Sequence, residues 1–203
     1  MYMGVHDGAD KSDRNNFQNI TLTLNQKLPF LKGLSVKGLF SYDRQIYDFR
    51  YGSYPFTAYA YNDAGEVEAQ QGGPANPELS VGKRQWTSYT MQGHINYENT
   101  FGKHSIGALA VYERRWGNKT DLQAGRKRYE FLISELNMGS VNKEYQSNPG
   151  YTTDYAQHGW VLRLNYNYAQ RHMLEVAGRY DATHQYAPGE RSAFFPSAAD
   201  GRQ

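Results

Sequence analysis

Six histidines are the side chains of this 203-residue chain best suited to bind a metal ion or to exchange protons near neutral pH. They are scattered, and they lack the spacing that ligands of a metal-binding motif have. Cysteine is absent, which excludes a disulfide, a thiol nucleophile and a thiolate-ligated metal. Glycine-rich phosphate-binding patterns are also absent, so we expect no metal site and no cofactor. The histidines are His6, His94, His104, His158, His172 and His184.

Glu175 and Asp181 are the carboxylates that would suit acid–base hydrolysis of a glycosidic bond. They lie six residues apart in one predicted strand, which separates them by roughly 20 Å. The two carboxyl groups of a glycosidase are only about 5–10 Å apart. We therefore expect no catalytic residue and no enzyme activity.

Tyrosine is unusually frequent, with 18 copies in a chain that is 15% aromatic. Tyrosines in the predicted loops would suit stacking on sugar rings. The alternative is that they reflect the ordinary composition of exposed loops, which is the simpler explanation for any one of them. The substrate-binding residues therefore stay undetermined. The loop tyrosines are Tyr54, Tyr59, Tyr61, Tyr145, Tyr151 and Tyr155.

The elements that carry these residues alternate with period two. In the stretch 159–181, Trp160, Leu162 and Leu164 share one parity, whereas Arg163 and Asn165 share the other. Period two predicts β-strands with one apolar and one polar face. Three further segments alternate clearly, and a fourth does so with unclear parity because Ile106 and Leu109 fall on opposite faces. These segments are 20–28, 34–43, 89–98 and, less clearly, 106–116.

Long polar stretches separate these strands. Clustered glycine and proline predict loops over 51–85, from 117 to about 157, and from 182 onward. A short helix is predicted within the second loop, over 128–140. None of the seven prolines falls inside a predicted strand, as a hydrogen-bonded ladder requires.

The rhythm of strands and connections is typical of a transmembrane β-barrel. The predicted strands run to about ten residues, longer than the usual five or six. Short and long connections alternate, as they do when short periplasmic turns and long extracellular loops join antiparallel strands. We therefore predict an all-β fold, an antiparallel up-and-down transmembrane β-barrel segment of about six strands.

The spacing of aromatic residues supports the same interpretation. Trp160 and Tyr168 lie eight residues apart on one face, as do Tyr89 and Tyr97. Eight residues span about 26 Å along a strand, or roughly 20 Å along the membrane normal at a tilt near 40°. This is close to the height of about 25 Å between the aromatic girdles of outer-membrane barrels. The alternative is that these rings fill the core of a soluble sandwich.

A lipid-facing apolar side implies a lumen-facing polar side. Trp160, Leu162, Leu164, Leu174 and Val176 are then expected to face lipid. We expect the charged residues on the opposite face to form ion pairs that stiffen the barrel wall. These residues are Asp43, Glu98, Arg163, Glu175, Arg179 and Asp181.

Parity also predicts the turns. If Tyr168 and Leu174 share a face, directly paired residues must have an even index sum. A three-residue turn satisfies this by pairing Tyr168 with His172 and Asn165 with Glu175. The same rule predicts a five-residue turn, 29–33, between Leu28 and Leu34.

The charge distribution and the hydrophobic pattern argue against nucleic-acid binding, a secretory signal and a membrane-spanning helix. The net charge of +2 arises from 22 basic and 20 acidic residues without a basic block, which argues against nucleic-acid binding. The first 17 residues do not form a secretory signal. No apolar run is long enough for a membrane-spanning helix.

The stretch 162–197 closely resembles a signature of SusC/RagA-type TonB-linked outer-membrane transporters. In that family an Asn-Tyr-Asn-Tyr-like run is followed by a short turn and a strand ending in Arg-Tyr-Asp. A loop of the form Phe-Ala-Pro-Gly-x-Arg-x-x-Phe-Phe-Pro-Ser comes next. Ser192 and Ala193 depart from the aromatic and glycine usual before Phe194. The stretch 30–43 also resembles a hairpin strand of this family. The matching residues are Arg179, Tyr180, Asp181, Tyr186, Ala187, Pro188, Gly189, Arg191, Phe194, Phe195, Pro196 and Ser197.

The resemblance implies an outer-membrane location in a Gram-negative cell and uptake of glycans or other nutrients. It also implies that the six strands belong to a larger barrel of roughly 22 strands. It also implies a SusD-like surface lipoprotein and the TonB complex as partners of the full-length protein, with a glycan or peptide-like ligand. No part of residues 1–203 resembles the plug domain or the TonB-engaging segment, so we expect a partial barrel domain that does not transport alone. The alternative function is a soluble all-β module that binds carbohydrate.

Overall fold

The computed structural model describes residues 9–130 and 133–202, and most of them lie in β-strands. Two single-turn 3-10 helices, Leu136–Met138 and Lys143–Tyr145, are the other regular elements in that part of the chain. No helix among the described residues is long and apolar enough to cross a membrane. The strands are β1 Ala9–Lys27, β2 Leu34–Ser53, β3 Phe56–Tyr61, β4 Val67–Gly72, β5 Glu78–Phe101, β6 His104–Lys127, β7 Gln146–Ser147, β8 Gly150–Tyr168, β9 His172–Thr183 and β10 Ser192–Arg202.

Seven long strands follow one another in the order β1-β2-β5-β6-β8-β9-β10, with β7 paired to β6. The strands β3 and β4 form a separate two-stranded sheet. The predicted fold class is confirmed: this is an antiparallel up-and-down sheet, with one strand more than the six expected. Within the described residues β1 and β10 are its two end strands, so the sheet is open.

The chain divides into two compact units, which are described separately. The first unit comprises Met1–Phe17, Gln45–Gln85 and Lys119–Thr152. The second unit comprises Gln18–Arg44, Trp86–Asn118 and Thr153–Gln203. The three short turns of the sheet belong to the second unit.

Both predicted turns are confirmed. Tyr168 pairs with His172 and Asn165 with Glu175, so the turn between β8 and β9 has three residues. The N–H of Leu28 donates to the carbonyl oxygen of Leu34 at 3.0 Å, which leaves the five residues 29–33 between Leu28 and Leu34.

The unclear parity of β6 is resolved by its ring contacts in the second unit. Tyr112 contacts Trp160 with ring centroids 4.7 Å apart, and Trp116 stacks on Tyr89 at 5.4 Å. Even-numbered residues of β6 therefore share the apolar face with Trp160. Leu109 is on the polar face, where it lines a concavity together with polar residues of β5.

The apolar face of the second unit is uncovered in the described chain. Trp160 is 49% exposed, Leu164 59% and Val176 46%. These are side chains that a water-soluble domain would bury. Alternate residues of the same strands are polar, so the sheet presents two faces of opposite character.

The loops predicted over 51–85 and 117–157 are longer than the connections in the structure. Strand β2 continues to Ser53, and a β3–β4 hairpin occupies the middle of the first stretch. The side-chain oxygen of Asn62 accepts bonds from the N–H groups of Ala64 and Glu66, and Gly65 has φ +80°, which together make the hairpin turn. Strands β6 and β8 similarly extend into the second stretch.

Two further predictions are wrong. The helix expected over 128–140 is reduced to the 3-10 turn at Leu136–Met138, although residues 131–132 lie outside the described part. The stretch after 182 contains β10, and Pro196 lies inside it, paired with Gly178. Proline has no N–H to donate to a ladder, which is why the sequence predicts a loop at this position.

Buried apolar residues are few, and all belong to the first unit. Among the described residues they are Phe49, Leu79 and Tyr129. Phe49 stacks between two tyrosines of its own strand, at 5.8 Å from Tyr47 and 5.1 Å from Tyr51. A Cβ at Gly82 would collide with the Phe49 ring, so glycine provides the space in which that ring lies. This stack is the nearest equivalent of a hydrophobic core in the unit.

We predict that Phe49→Ala lowers the free energy of unfolding by about 3 kcal/mol, because the ring leaves a cavity between its neighbours. Denaturant unfolding in detergent, followed by circular dichroism, measures this. Tyr61→Ala is the matched control, since Tyr61 is 58% exposed and should cost less than about 0.5 kcal/mol. Equal losses for both variants would contradict this role of Phe49.

The β8–β9 turn provides a second prediction. Ala169 and Gln170 have φ of 52° and 58°, which side chains with a Cβ disfavour. Replacing both by glycine should raise the free energy of unfolding by about 0.5–1 kcal/mol, whereas Gln170→Val should lower it. A loss of stability in the glycine variant, measured by the same unfolding assay, would show that the turn is not strained.

Candidate functional site

A cavity of about 590 Å³ in the second unit gathers charged residues on the polar face. We call it the β9 cavity. Strand β6 contributes Glu113 and Arg115, and β9 contributes Arg179 and Asp181. The loop between β9 and β10, with the first residues of β10, completes the lining with Tyr186, Glu190, Arg191 and Phe195.

Two ion pairs organise the strand side of the β9 cavity. Arg179 Nε donates to Asp181 Oδ2 at 2.6 Å, and Arg115 lies 3.5 Å from a carboxylate oxygen of Glu113. Gln92 also donates to the Glu113 carboxylate. The Arg179 and Asp181 side chains are 54% and 38% exposed, so solvent screening limits the pair to about 0.3–1 kcal/mol. Its main effect is to orient two side chains of one strand along the cavity wall.

The loop side is closed by Arg191. Its Nε donates to the carbonyl oxygen of Tyr186 at 2.9 Å, and its own carbonyl accepts the N–H of Thr183 at 2.9 Å. Gly189 has φ +99°, a conformation that favours glycine. Several residues of the signature motif thus fold into one turn that lines the cavity.

Gly159 of β8 makes room for the Asp181 carboxylate. The two residues are directly paired across the β8–β9 ladder. A Cβ at position 159 would collide with Asp181 Oδ1 and approach the Tyr180 carbonyl oxygen to 3.1 Å. Glycine at 159 therefore sets the position of Asp181, and through it that of Arg179.

Outside this cavity the expected ion pairs do not form. Among the described residues, Asp43, Glu98, Arg163 and Glu175 have no ion-pair partner within 4.0 Å. Asp43 instead accepts from Ser41 at 3.3 Å, and Glu98 accepts from Asn96 at 3.3 Å. Of the six predicted charges, Arg179 and Asp181 alone therefore form an ion pair among the described residues, whereas Asp43 and Glu98 accept from a hydroxyl and an amide.

The histidines are dispersed in space as they are in sequence. His104 is hydrogen-bonded to Tyr166 at 2.7 Å, and His184 Nε2 lies 2.9 Å from the carbonyl oxygen of Asp154. His94 contacts Gln92 at 3.2 Å. In the described part of the chain no group of three or more His, Asp or Glu side chains is arranged to hold a metal ion. His6 lies outside the described residues.

The loop tyrosines do not form one platform. Tyr54 is hydrogen-bonded to Ser134 at 3.3 Å, whereas Tyr59 and Tyr61 stand exposed on the β3–β4 hairpin. Arg128 lies over the Tyr145 ring at 4.2 Å, and a hydrogen bond with Glu144 raises the pKa of the Tyr145 phenol. Burial raises the pKa of Tyr129.

Tyr145 nevertheless has a place in a cavity. In the first unit it lines a space of about 370 Å³ with Tyr51 and Arg126. Tyr151 lies beneath the Lys119 ammonium at 5.7 Å, and the Tyr155 hydroxyl lies beside Gly117.

Sequence reasoning missed several lining residues. Glu113 and Arg115 were overlooked because the parity of β6 was unclear, and Glu190 because its loop was read only for its motif. The sequence also signals the Tyr47, Phe49 and Tyr51 stack, because period-two alternation resumes beyond Asp43, with the aromatic residues on the parity of Asp43 rather than that of Tyr42. The β9 cavity combines paired cations and carboxylates with aromatic edges. This arrangement is suited to reversible binding of hydroxyl-rich or zwitterionic groups.

Comparison with known proteins agrees with the resemblance seen in the sequence. No family model matches the chain. TonB-dependent receptor P3 of Formosa agariphila is 25% identical over 125 residues, which cover 60% of this chain and 12% of the receptor. The chain thus spans about an eighth of the length of this relative.

Solved structures of the RagAB peptide transporter share the fold. One superposes with a TM-score of 0.79 at 17% identity, covering 95% of this chain and 20% of that chain. The RagAB importer in its 'closed-closed' and 'open-open' states superposes with a TM-score of 0.78 over the same shares. The resemblance to TonB-linked transporters of the SusC/RagA type is confirmed, and the fold is that of part of such a barrel.

We predict that Gly159→Ala lowers the free energy of unfolding by about 1–2 kcal/mol, because the new Cβ displaces Asp181. In an Asp181→Ala background the same substitution should cost less than half as much. A double-mutant cycle by denaturant unfolding measures the difference. Gly93→Ala is the matched control, since no atom lies within 4 Å of a Cβ there. Additive effects of Gly159→Ala and Asp181→Ala would contradict this account.

Proposed function

We propose that this chain forms part of the barrel wall of a TonB-dependent transporter in the outer membrane of a Gram-negative cell. Residues 1–203 would belong to the barrel domain and cross the membrane repeatedly. The observation that carries the proposal is the two-faced sheet of the second unit. Its apolar side chains are exposed on one face, while the opposite face lines cavities with charges and amides.

Ring contacts on the apolar face support the proposal. Tyr112 and Trp160 form one contact pair, and Tyr89 and Trp116 another. Tyr166 and Tyr168, both beside His104, stand close to a short turn. Aromatic residues at both ends of an apolar band are the usual anchors of a barrel at the two membrane–water interfaces.

The cargo that we propose is a peptide, a glycan or a similar nutrient. The relatives are named as a receptor and as a peptide transporter, and neither name describes an enzyme. The paired charges and aromatic edges of the β9 cavity suit hydroxyl-rich and zwitterionic ligands alike. We propose a SusD-like surface lipoprotein over the long connections and the TonB complex on the periplasmic side as partners. These 203 residues by themselves would not transport, because an open sheet encloses no channel.

Adjacent residues of β8 provide the sharpest test of the lipid face. Leu164 lies midway between Trp160 and Tyr168, and Asn165 is on the opposite face. Leu164→Arg should lower the free energy of unfolding in lipid vesicles by about 2–4 kcal/mol. Asn165→Arg should change it by less than about 0.5 kcal/mol, because Asn165 lines a concavity of about 920 Å³ that accommodates a longer side chain.

Urea titration of the vesicle-bound chain measures both variants. Equal losses of free energy of unfolding, or a larger loss for Asn165→Arg, would contradict the assignment of the lipid-facing side. Purification without detergent is the complementary experiment. A monodisperse monomer that melts cooperatively in buffer would overturn the membrane proposal and favour a soluble carbohydrate-binding module.

A further inference from the structure

The three short turns of the second unit share one charge pattern. The turn 28–33 contains Lys32, the turn 102–103 contains Lys103 and the turn 169–171 contains Arg171, and none of them contains an acidic residue. We call these three residues the basic rim.

The long connections have the opposite balance. The segment 54–77 contains three acidic residues and no basic one, and the segment 128–149 contains three acidic and two basic residues. The segment 184–191 contains one of each. Charge is therefore distributed unequally between the two kinds of connection, although the whole chain is nearly neutral.

Backbone hydrogen bonds fix the basic rim in place. The N–H of Ala169 donates to the carbonyl oxygen of Lys103 at 2.7 Å, which joins the second turn to the third. The N–H of Glu98 donates to Gly33 at 2.9 Å, which attaches the first turn to the end of β5. Asn99 also donates to the carbonyl oxygen of Lys32, at 3.5 Å. The cations are thus carried on connected backbone rather than on independent loops.

The side chains of the basic rim have no ion-pair partners among the described residues. The carboxylates of Glu98, Glu175 and Asp200 line the 920 Å³ concavity on the polar face, which Lys32 also lines without forming an ion pair there. Glu98 is already engaged by Asn96. Three cations with no ion-pair partner in neighbouring turns form a surface that attracts anions.

Apolar side chains accompany these cations. Phe30 is 78% exposed and Leu31 44%, both in the turn that contains Lys32. Phe101, at the end of β5, is 53% exposed. A free inorganic anion would leave these groups in water, whereas a lipid would cover them while its phosphate met the cations.

We propose that the basic rim binds the phosphate groups of anionic phospholipids in the membrane leaflet on the short-turn side. Phe30 and Leu31 enter the boundary between headgroups and acyl chains, while Lys32, Lys103 and Arg171 reach the phosphates. This inference rests on the proposed function, because it requires the sheet to stand in a bilayer. Each basic residue near an anionic lipid surface strengthens binding about fivefold.

Native mass spectrometry of the chain in nonionic detergent tests this proposal. The protein is mixed with equimolar phosphatidylglycerol and phosphatidylcholine of identical acyl chains. We expect bound phosphatidylglycerol to exceed phosphatidylcholine at least about fivefold. The variant Lys32→Gln/Lys103→Gln/Arg171→Gln should bring the ratio close to one. Raising the salt concentration should weaken the preference of the parent chain.

The matched control is Arg14→Gln/Lys83→Gln/Lys143→Gln, which removes two lysines and one arginine of the first unit and should keep the parental ratio. The charge-conserving variant Lys32→Arg/Lys103→Arg/Arg171→Lys should also keep it, which separates loss of charge from misfolding. A parental ratio near one would overturn the proposal, as would equal losses in the test and control variants. Loss of the preference on adding inorganic phosphate, but not on adding chloride at the same ionic strength, would show a free-phosphate site instead.

These outcomes are distinct from failure of the proposed function. If the chain is a stable monomer without detergent, the membrane location itself is wrong. If it requires detergent yet binds both lipids equally, the membrane location stands and only the basic rim loses its role.

Discussion

Strand register is the constraint on which the rest of this structure depends. Side chains alternate between faces with period two, so a slip of one residue would exchange the apolar and polar faces of a strand. The pairing of Tyr168 with His172 keeps Leu164 beside Val176 on one face and Asn165 beside Glu175 on the other. The same parity places Gly159 opposite Asp181, where glycine is needed. The turn lengths, the face on which each side chain lies and the residues that line the cavity therefore all follow from the strand register.

Much of this arrangement was predictable because register is a local property. Turn lengths of three and five residues follow from the parity of the flanking apolar residues alone. Strand ends were not predictable in the same way. Beyond Asp43 the alternation resumes with Tyr47, Phe49 and Tyr51, but the apolar residues change parity there, and polar neighbours and nearby glycines resemble those of a loop. Pro196 likewise predicts a loop, because proline has no N–H to donate to a ladder, yet it lies inside β10 and pairs with Gly178.

The candidate site was partly predictable for a related reason. Arg179 and Asp181 are two residues apart on one strand, so their pairing needs no knowledge of the fold. Glu113 and Arg115 reach the same cavity only through the order of β6, β8 and β9 in the sheet. Asp43 and Glu98 accept from a hydroxyl and an amide instead of pairing with opposite charges. Partners of this kind depend on which residues of a strand two positions away in the sheet lie nearby. The alternation within one strand does not predict that.

The separate β3–β4 hairpin has a consequence of a different sort. It shares no ladder with the long strands, and its tip is held by Asn62 and Gly65 through bonds internal to the hairpin. A two-stranded ribbon of six residues a side has little stability of its own. Its length and composition are thus free to change in evolution without disturbing the alternation of the wall. Substitutions at Tyr59 and Tyr61, which stand exposed on this hairpin, would therefore leave the pairing of the long strands unchanged.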